Sequence, residues 1–94
     1  MIGLLAEYDA LDGLSQKAGK LEKAPRPKTT HGHGCGHNLL GTGVAAAALD
    51  LKDYLERRPG AGTVVVYGCP AEEGGSGKTI MAGAGVFDEL DAAL

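Results

Sequence analysis

Tryptophan is absent from the chain and phenylalanine occurs once, which with three tyrosines is the whole aromatic complement. A core here has to be built from Ala, Val, Leu and Ile. Only two cysteines are present, so there is no disulfide framework to read, and reduced thiols are the expectation. A formal charge of −3 is too small to argue for steering onto nucleic acid or a membrane surface. No apolar run approaches membrane-spanning length. Met1 is followed by "IGLLAEYDA", which lacks the basic start of a secretory signal. The expected location is the cytoplasm.

What the chain has in excess is glycine, sixteen residues in 94, which suggests backbone threaded tightly around something. Its length suits one small domain or a piece of a larger one. Charge is unevenly spread. Residues 13–30 hold Lys17, Lys20, Lys23, Arg26 and Lys28 against a single Glu22, so the remainder is acidic. This polar basic stretch carries Pro25 and Pro27 and reads as a long solvated loop without structure of its own.

Around that loop the pattern is regular. "IGLLAEY" (2–8) is short, apolar and acidic at its end, as in a buried strand. From Asn38, a plausible N-cap, Leu40, Val44, Ala48, Leu51 and Leu55 recur on one helical face. Arg57 and Arg58 suit the last turn, and "PG" at 59–60 stops the helix. Gly41 and Gly43 in the first turns suggest close approach to another backbone or to a site. "TVVVYG" (63–68) is β-branched and apolar on both faces, as expected of a central parallel strand. "KTIMAGAG" is a candidate short helix, and "DAAL" at the end a candidate strand. Strand, crossover helix and strand make a parallel β-α-β core, so the fold class is α/β.

Polar residues then fall in one place. Glu7 and Asp9 lie at the carboxyl end of the first strand, and Glu72 and Glu73 just beyond that of the second. Cys35 and His37, within "HGHGCGHN" (31–38), immediately precede the helix. Ligands of parallel α/β sheets bind at this edge. Thiolate, imidazole and carboxylate are the donor set of zinc and similar divalent ions. Cys35 and His37 sit two apart, so an extended loop points both the same way. His33 is a ligand or a partner behind the ligands, and His31 is expected to be exposed and idle. On an irregular loop Glu72 and Glu73 point in different directions. One can bind a metal while the other remains a base for a water whose pKa the metal lowers from 15.7 to about 7.

Two rivals are weaker. "GGSGKT" (74–79) suggests a phosphate loop, but the Walker pattern needs glycine five residues before Gly77, and that residue is Glu72. Redox chemistry lacks a C-x-x-C pair, and Cys69 beside Pro70 reads as a small buried residue at a strand end.

"LLAEYDAL", "HGCGHNLLGT" and "GCPAEEGGSGKTIM" together resemble the amidohydrolase branch of the dinuclear aminoacylase/carboxypeptidase metallopeptidases. The Asn after "CGH" and the wording of the third motif look most like the p-aminobenzoyl-glutamate hydrolase type. The resemblance runs over essentially the whole chain. It implies that the chain is the N-terminal part of a catalytic domain with a zinc-peptidase-like sheet, incomplete on its C-terminal side. By motif, Cys35, His37 and Glu73 are its metal ligands, Glu72 its general base, and Asp9 a carboxylate supporting the metal centre from behind. Glu7 takes no role from it.

The implied reaction is hydrolysis of an amide between an acyl group and an amino acid, with two divalent ions, zinc or manganese. The implied partners are a small N-acyl amino acid and a second copy in the full-length protein, with no nucleic acid or membrane. Further family histidines, one expected just after "DAAL", lie beyond Leu94, as does the family's second domain. The 94 residues alone are therefore expected to be inactive and marginally folded or self-associating. The competing reading from another class is a non-catalytic metal- or anion-binding module from a truncated gene.

Overall fold

The computed structural model describes residues 1–58, 60 and 62–94. Its elements in chain order are β1 (Ile2–Glu7), α1 (His37–Glu56), β2 (Val64–Cys69), α2 (Glu72–Gly75), α3 (Gly77–Gly83) and β3 (Ala92–Ala93). All three strands are parallel, in the order β2-β1-β3, so the chain is α/β as expected. The expected terminal strand is the two-residue β3, extended by hydrogen bonds from the Leu5 N–H to the Leu94 carbonyl (2.8 Å) and from the Leu94 N–H to the Gly3 carbonyl (2.9 Å).

β1, not β2, is the central strand among the described residues. Its Leu4 and Ala6 are buried, and with Cys69 of β2 they form the core. The apolar outer face of β2 is consequently left open, and Val66 is exposed. The register pairs Glu7 with Cys69, so the segments leaving β1 and β2 emerge side by side at one edge. α1 lies against both strands. Its first turns approach β1 so closely that a Cβ at Gly41 would stand 2.9 Å from the Glu7 carbonyl oxygen, while Gly43 has open space around it.

α1 begins at His37 rather than after Asn38. Its N-cap is Gly36, at φ 101, with no side-chain cap. A positive φ there is strained for any residue with a Cβ, so glycine is the residue that allows the chain to turn from Cys35 directly into a helix. Cys35 and His37 therefore flank a left-handed turn, not an extended loop. The helix ends at Glu56, which leaves Arg57 and Arg58 past the last turn, where the Arg58 guanidinium sits 4.5 Å over the Tyr54 ring. Pro59, half of the expected stop, lies outside the described residues. Of the expected apolar face, Val44, Ala48 and Leu55 are half-buried, whereas Leu40 and Leu51 remain exposed because the helix covers only two strands.

The basic stretch is a loop, with no helix or strand between β1 and α1, and it is held by local bonds. Leu11 and Gly32 form an antiparallel bridge, and amides run from Ser15 to Thr30 (2.9 Å) and from Lys17 to Ala24 (2.8 Å). The Gln16 amide donates to the carbonyls of Lys20 (3.0 Å) and Glu22 (2.8 Å) and accepts from the Ala24 amide (2.9 Å). Buried Ser15 accepts from the Arg26 amide at 3.1 Å. Side chains here substitute for the missing ladder, which is how a polar, proline-bearing segment holds a shape. No helix among the described residues is long and apolar enough to cross a membrane.

Candidate metal centre

His37, the first residue of α1, is only 4% exposed, and it is ringed by carboxylates. Its Nδ1 lies 3.0 Å from Asp9 Oδ1, just beyond β1. Its Nε2 lies 3.0 Å from Glu7 Oε2, 3.7 Å from Glu72 Oε2 and 3.9 Å from Glu73 Oε1. Asp9 also accepts the Glu73 amide on Oδ2 at 3.0 Å, so one carboxylate ties the start of α1 to α2.

The two glutamates sit differently from the expected irregular loop. They open the single helical turn α2, between Ala71 at φ 55 and Ser76 at φ 50. Left-handed alanine and serine are costly, by about 1–3 kcal/mol each, and such strain collects where side chains must be aimed. Here it rolls Glu72 and Glu73 back over the carboxyl end of the sheet.

Charges in the cluster respond to one another. Burial alone would lower the His37 imidazole, but the Asp9 hydrogen bond and the charges of Asp9, Glu7 and Glu73 outweigh it and hold its pKa above the ordinary value. The amide of Glu73 is the main donor holding the Asp9 carboxyl below the usual carboxylate range. The Glu73 carboxylate, by hydrogen bonding and then by charge, pushes the Cys35 thiol up. So much negative charge around one imidazole is what a divalent cation neutralises.

Two groups of donor atoms share His37. In Cys35, His37 and Glu73, and again in Glu7, His37 and Glu72, the atoms lie within 4.8 Å of one another. Metal–ligand bonds of zinc put neighbouring ligands roughly 3.3–3.8 Å apart around a tetrahedron, so the 3.9 Å between His37 Nε2 and Glu73 Oε1 closes on an ion with a small shift, and the 3.7 Å to Glu72 Oε2 in the other group falls within the range. Asp9 lies on Nδ1 and Glu7 on Nε2, so a metal taking Nε2 would displace the proton that Glu7 otherwise faces, while Asp9 would hold the ring from behind. The residues present therefore fit a divalent metal.

The structure thus brings together five of the six residues singled out from sequence: Asp9, Cys35, His37, Glu72 and Glu73. His33 is exposed and belongs to neither donor group. His31 is exposed, 3.9 Å from Asp12. The residue that sequence reasoning left without a role is Glu7, which reaches both His37 and Lys78. Its signal was its spacing: with Asp9 it leaves the same strand two residues apart, and both flank one ring. Lys78, which a phosphate loop would turn to its ligand, is committed to Glu7 instead. A concavity of about 740 Å³ lies along the basic loop and contains none of the cluster's side chains.

The profile described as peptidase family M20/M25/M40 matches residues 3–94. A subunit of the p-aminobenzoyl-glutamate hydrolase of Escherichia coli (strain K12) is 58% identical over 94 residues, all of this chain and 20% of the relative. The Xaa-Arg dipeptidase of Homo sapiens is 43% identical over 93 residues, 96% of this chain and 17% of the relative. The IAA-amino acid hydrolase ILR1-like 5 of Arabidopsis thaliana is 40% identical over 60 residues, 64% of this chain and 13% of the relative. No solved structure matches significantly. The chain spans about a fifth of the length of the first two relatives. With a match over nearly its whole length, it belongs to peptidase family M20/M25/M40.

Proposed function

We propose that this segment supplies one side of a dinuclear, metal-dependent centre that hydrolyses the amide bond between an acyl group and an amino acid. The single observation that carries this is the buried His37, oriented by Asp9 on one nitrogen and facing Glu72 and Glu73 with the other. Cys35, His37 and Glu73 are the ligands. The bound ions, zinc or manganese, supply polarisation of the scissile carbonyl and acidification of water.

Glu72 is the general base. Its side chain is 39% exposed against 23% for Glu73, so it is the more open of the two to a water and a substrate arriving from the sheet edge. It takes the proton of the attacking water and returns it to the nitrogen of the departing amino acid. Asp9 accepts from Nδ1 and so turns Nε2, which Glu7 faces at 3.0 Å, towards the metal. The E. coli relative's name supports p-aminobenzoyl-glutamate as the substrate, and its description as a subunit supports assembly with further copies or other chains.

Glu72→Gln, made in the intact natural protein that carries this sequence, tests the division of labour. Turnover should fall by roughly 10²–10⁴, while the metal content, read by elemental analysis, stays near that of the parent. Loss of metal together with turnover would make Glu72 a ligand and overturn its role as base.

A further inference from the structure

A cation enters the acidic cluster. Lys78, from the first turn of α3, pairs with Glu7 Oε1, while the other oxygen of the same carboxylate stands 3.0 Å from His37 Nε2. Neither partner is loosely placed: the Glu7 side chain is 19% and the Lys78 side chain 32% exposed. Glu7 in turn raises the Lys78 ammonium above its ordinary pKa.

The pairing matters because the two donor groups, Cys35–His37–Glu73 and Glu7–His37–Glu72, share His37, and with Asp9 on Nδ1 the carboxylates of both groups face the same nitrogen, Nε2. An imidazole nitrogen has a single lone pair in the ring plane, so Nε2 serves one ion at a time. A free Glu7 carboxylate so near Nε2 would draw the ion away from the thiolate. The geometry points to Lys78 as a positioning residue that neutralises Glu7 and withholds it from the metal, so that His37 Nε2 goes to the ion held with Cys35 and Glu73. This rests on the metal-centre reading above and adds a second element to it: α3 sets which ligand set is used.

Co²⁺ is a suitable probe, because thiolate ligation gives it an ultraviolet charge-transfer band and its affinity can be read by chelator competition. Lys78→Met, in the intact natural protein, should bind Co²⁺ tighter by on the order of tenfold, with a weaker thiolate band as the ion shifts towards Glu7. Glu7→Gln leaves Lys78 uncompensated and should bind more weakly. Glu7→Gln/Lys78→Met replaces a neutral pair by another and should return both affinity and band to the parent values, as should Lys78→Arg.

A double variant as weak as Glu7→Gln alone would make Glu7 a ligand and overturn the inference. So would a Lys78→Met protein with unchanged affinity and band. Should Lys78→Met fail to fold, Lys78→Arg and the double variant carry the same decision. A parent protein that binds no Co²⁺ overturns the metal centre itself, whereas a parent that binds it with a flat cycle overturns only the role of Lys78.

Discussion

Asp9 uses both carboxylate oxygens as acceptors, one for the His37 ring and one for the Glu73 amide. An asparagine offers one oxygen and one NH₂, so it satisfies at most one of these donors and turns the wrong group to the other. Asp9→Asn should therefore lower metal affinity by roughly 10–100-fold, the usual cost of losing a partner behind a ligating histidine. The measurement is chelator competition on the intact natural protein, and an affinity within about twofold of the parent would rule out Asp9 as the residue that orients His37. Cys35 and His37 were legible in sequence because their spacing and chemistry are unusual. Glu7 offered only its two-residue spacing from Asp9, because a carboxylate at a strand end otherwise looks the same whether it faces solvent or a buried ring.

At the scale of elements, the sheet edge was readable and the turns on it were not. Alternation of short β-branched runs with one long helical period fixes a β-α-β unit, and chain direction then dictates which ends meet. Nothing in "PAEEGGSGKT" announces that Ala71 and Ser76 take left-handed conformations, since alanine and serine rarely do. The turn they bound is tight: a Cβ on Gly77 would lie 1.9 Å from the Pro70 carbonyl oxygen, so α3 begins on a residue without a side chain. The basic loop carries no helix or strand, but how it is held was not readable either. Its hydrogen bonds run through the Gln16 amide and the Ser15 hydroxyl, and polar side chains advertise solvent exposure as readily as local anchoring. Gly77→Ala tests the turn. The added methyl must push Pro70 and α3 apart, and with them the turn that carries Glu72 and Glu73. The expected cost is about 1–3 kcal/mol, as for overpacking elsewhere, with a lower melting temperature and weaker metal binding together. Gly43→Ala is the matched control, since a Cβ there meets nothing within 4 Å. On an exposed helical position it should hold or raise stability. Equal melting temperatures for Gly77→Ala and the parent would show that the turn is not held by this contact.

At the scale of the molecule, burial is thin. A compact monomer of 9.5 kDa exposes about 5,000 Å² by the usual scaling, whereas this chain exposes 6628 Å². Its radius of gyration is 16.7 Å, against about 12.4 Å for a compact domain of this length. The cause is visible in the sheet. Among the described residues α1 covers two strands, β2 lies at the sheet's edge, and Leu39, Leu49 and Ile80 stand open to solvent. Exposed strand edges and leucines are what further chain or a second copy covers. The His37 cluster joins β1, α1 and α2 at one corner of this open framework, so its geometry depends on β1 and α1 staying together. The 94 residues expressed alone should therefore give a broad, concentration-dependent unfolding transition and a mass above that of a monomer by light scattering. A monomer with a sharp transition at high temperature would mean that this small aliphatic core suffices, and that the exposed leucines contribute nothing to holding the site.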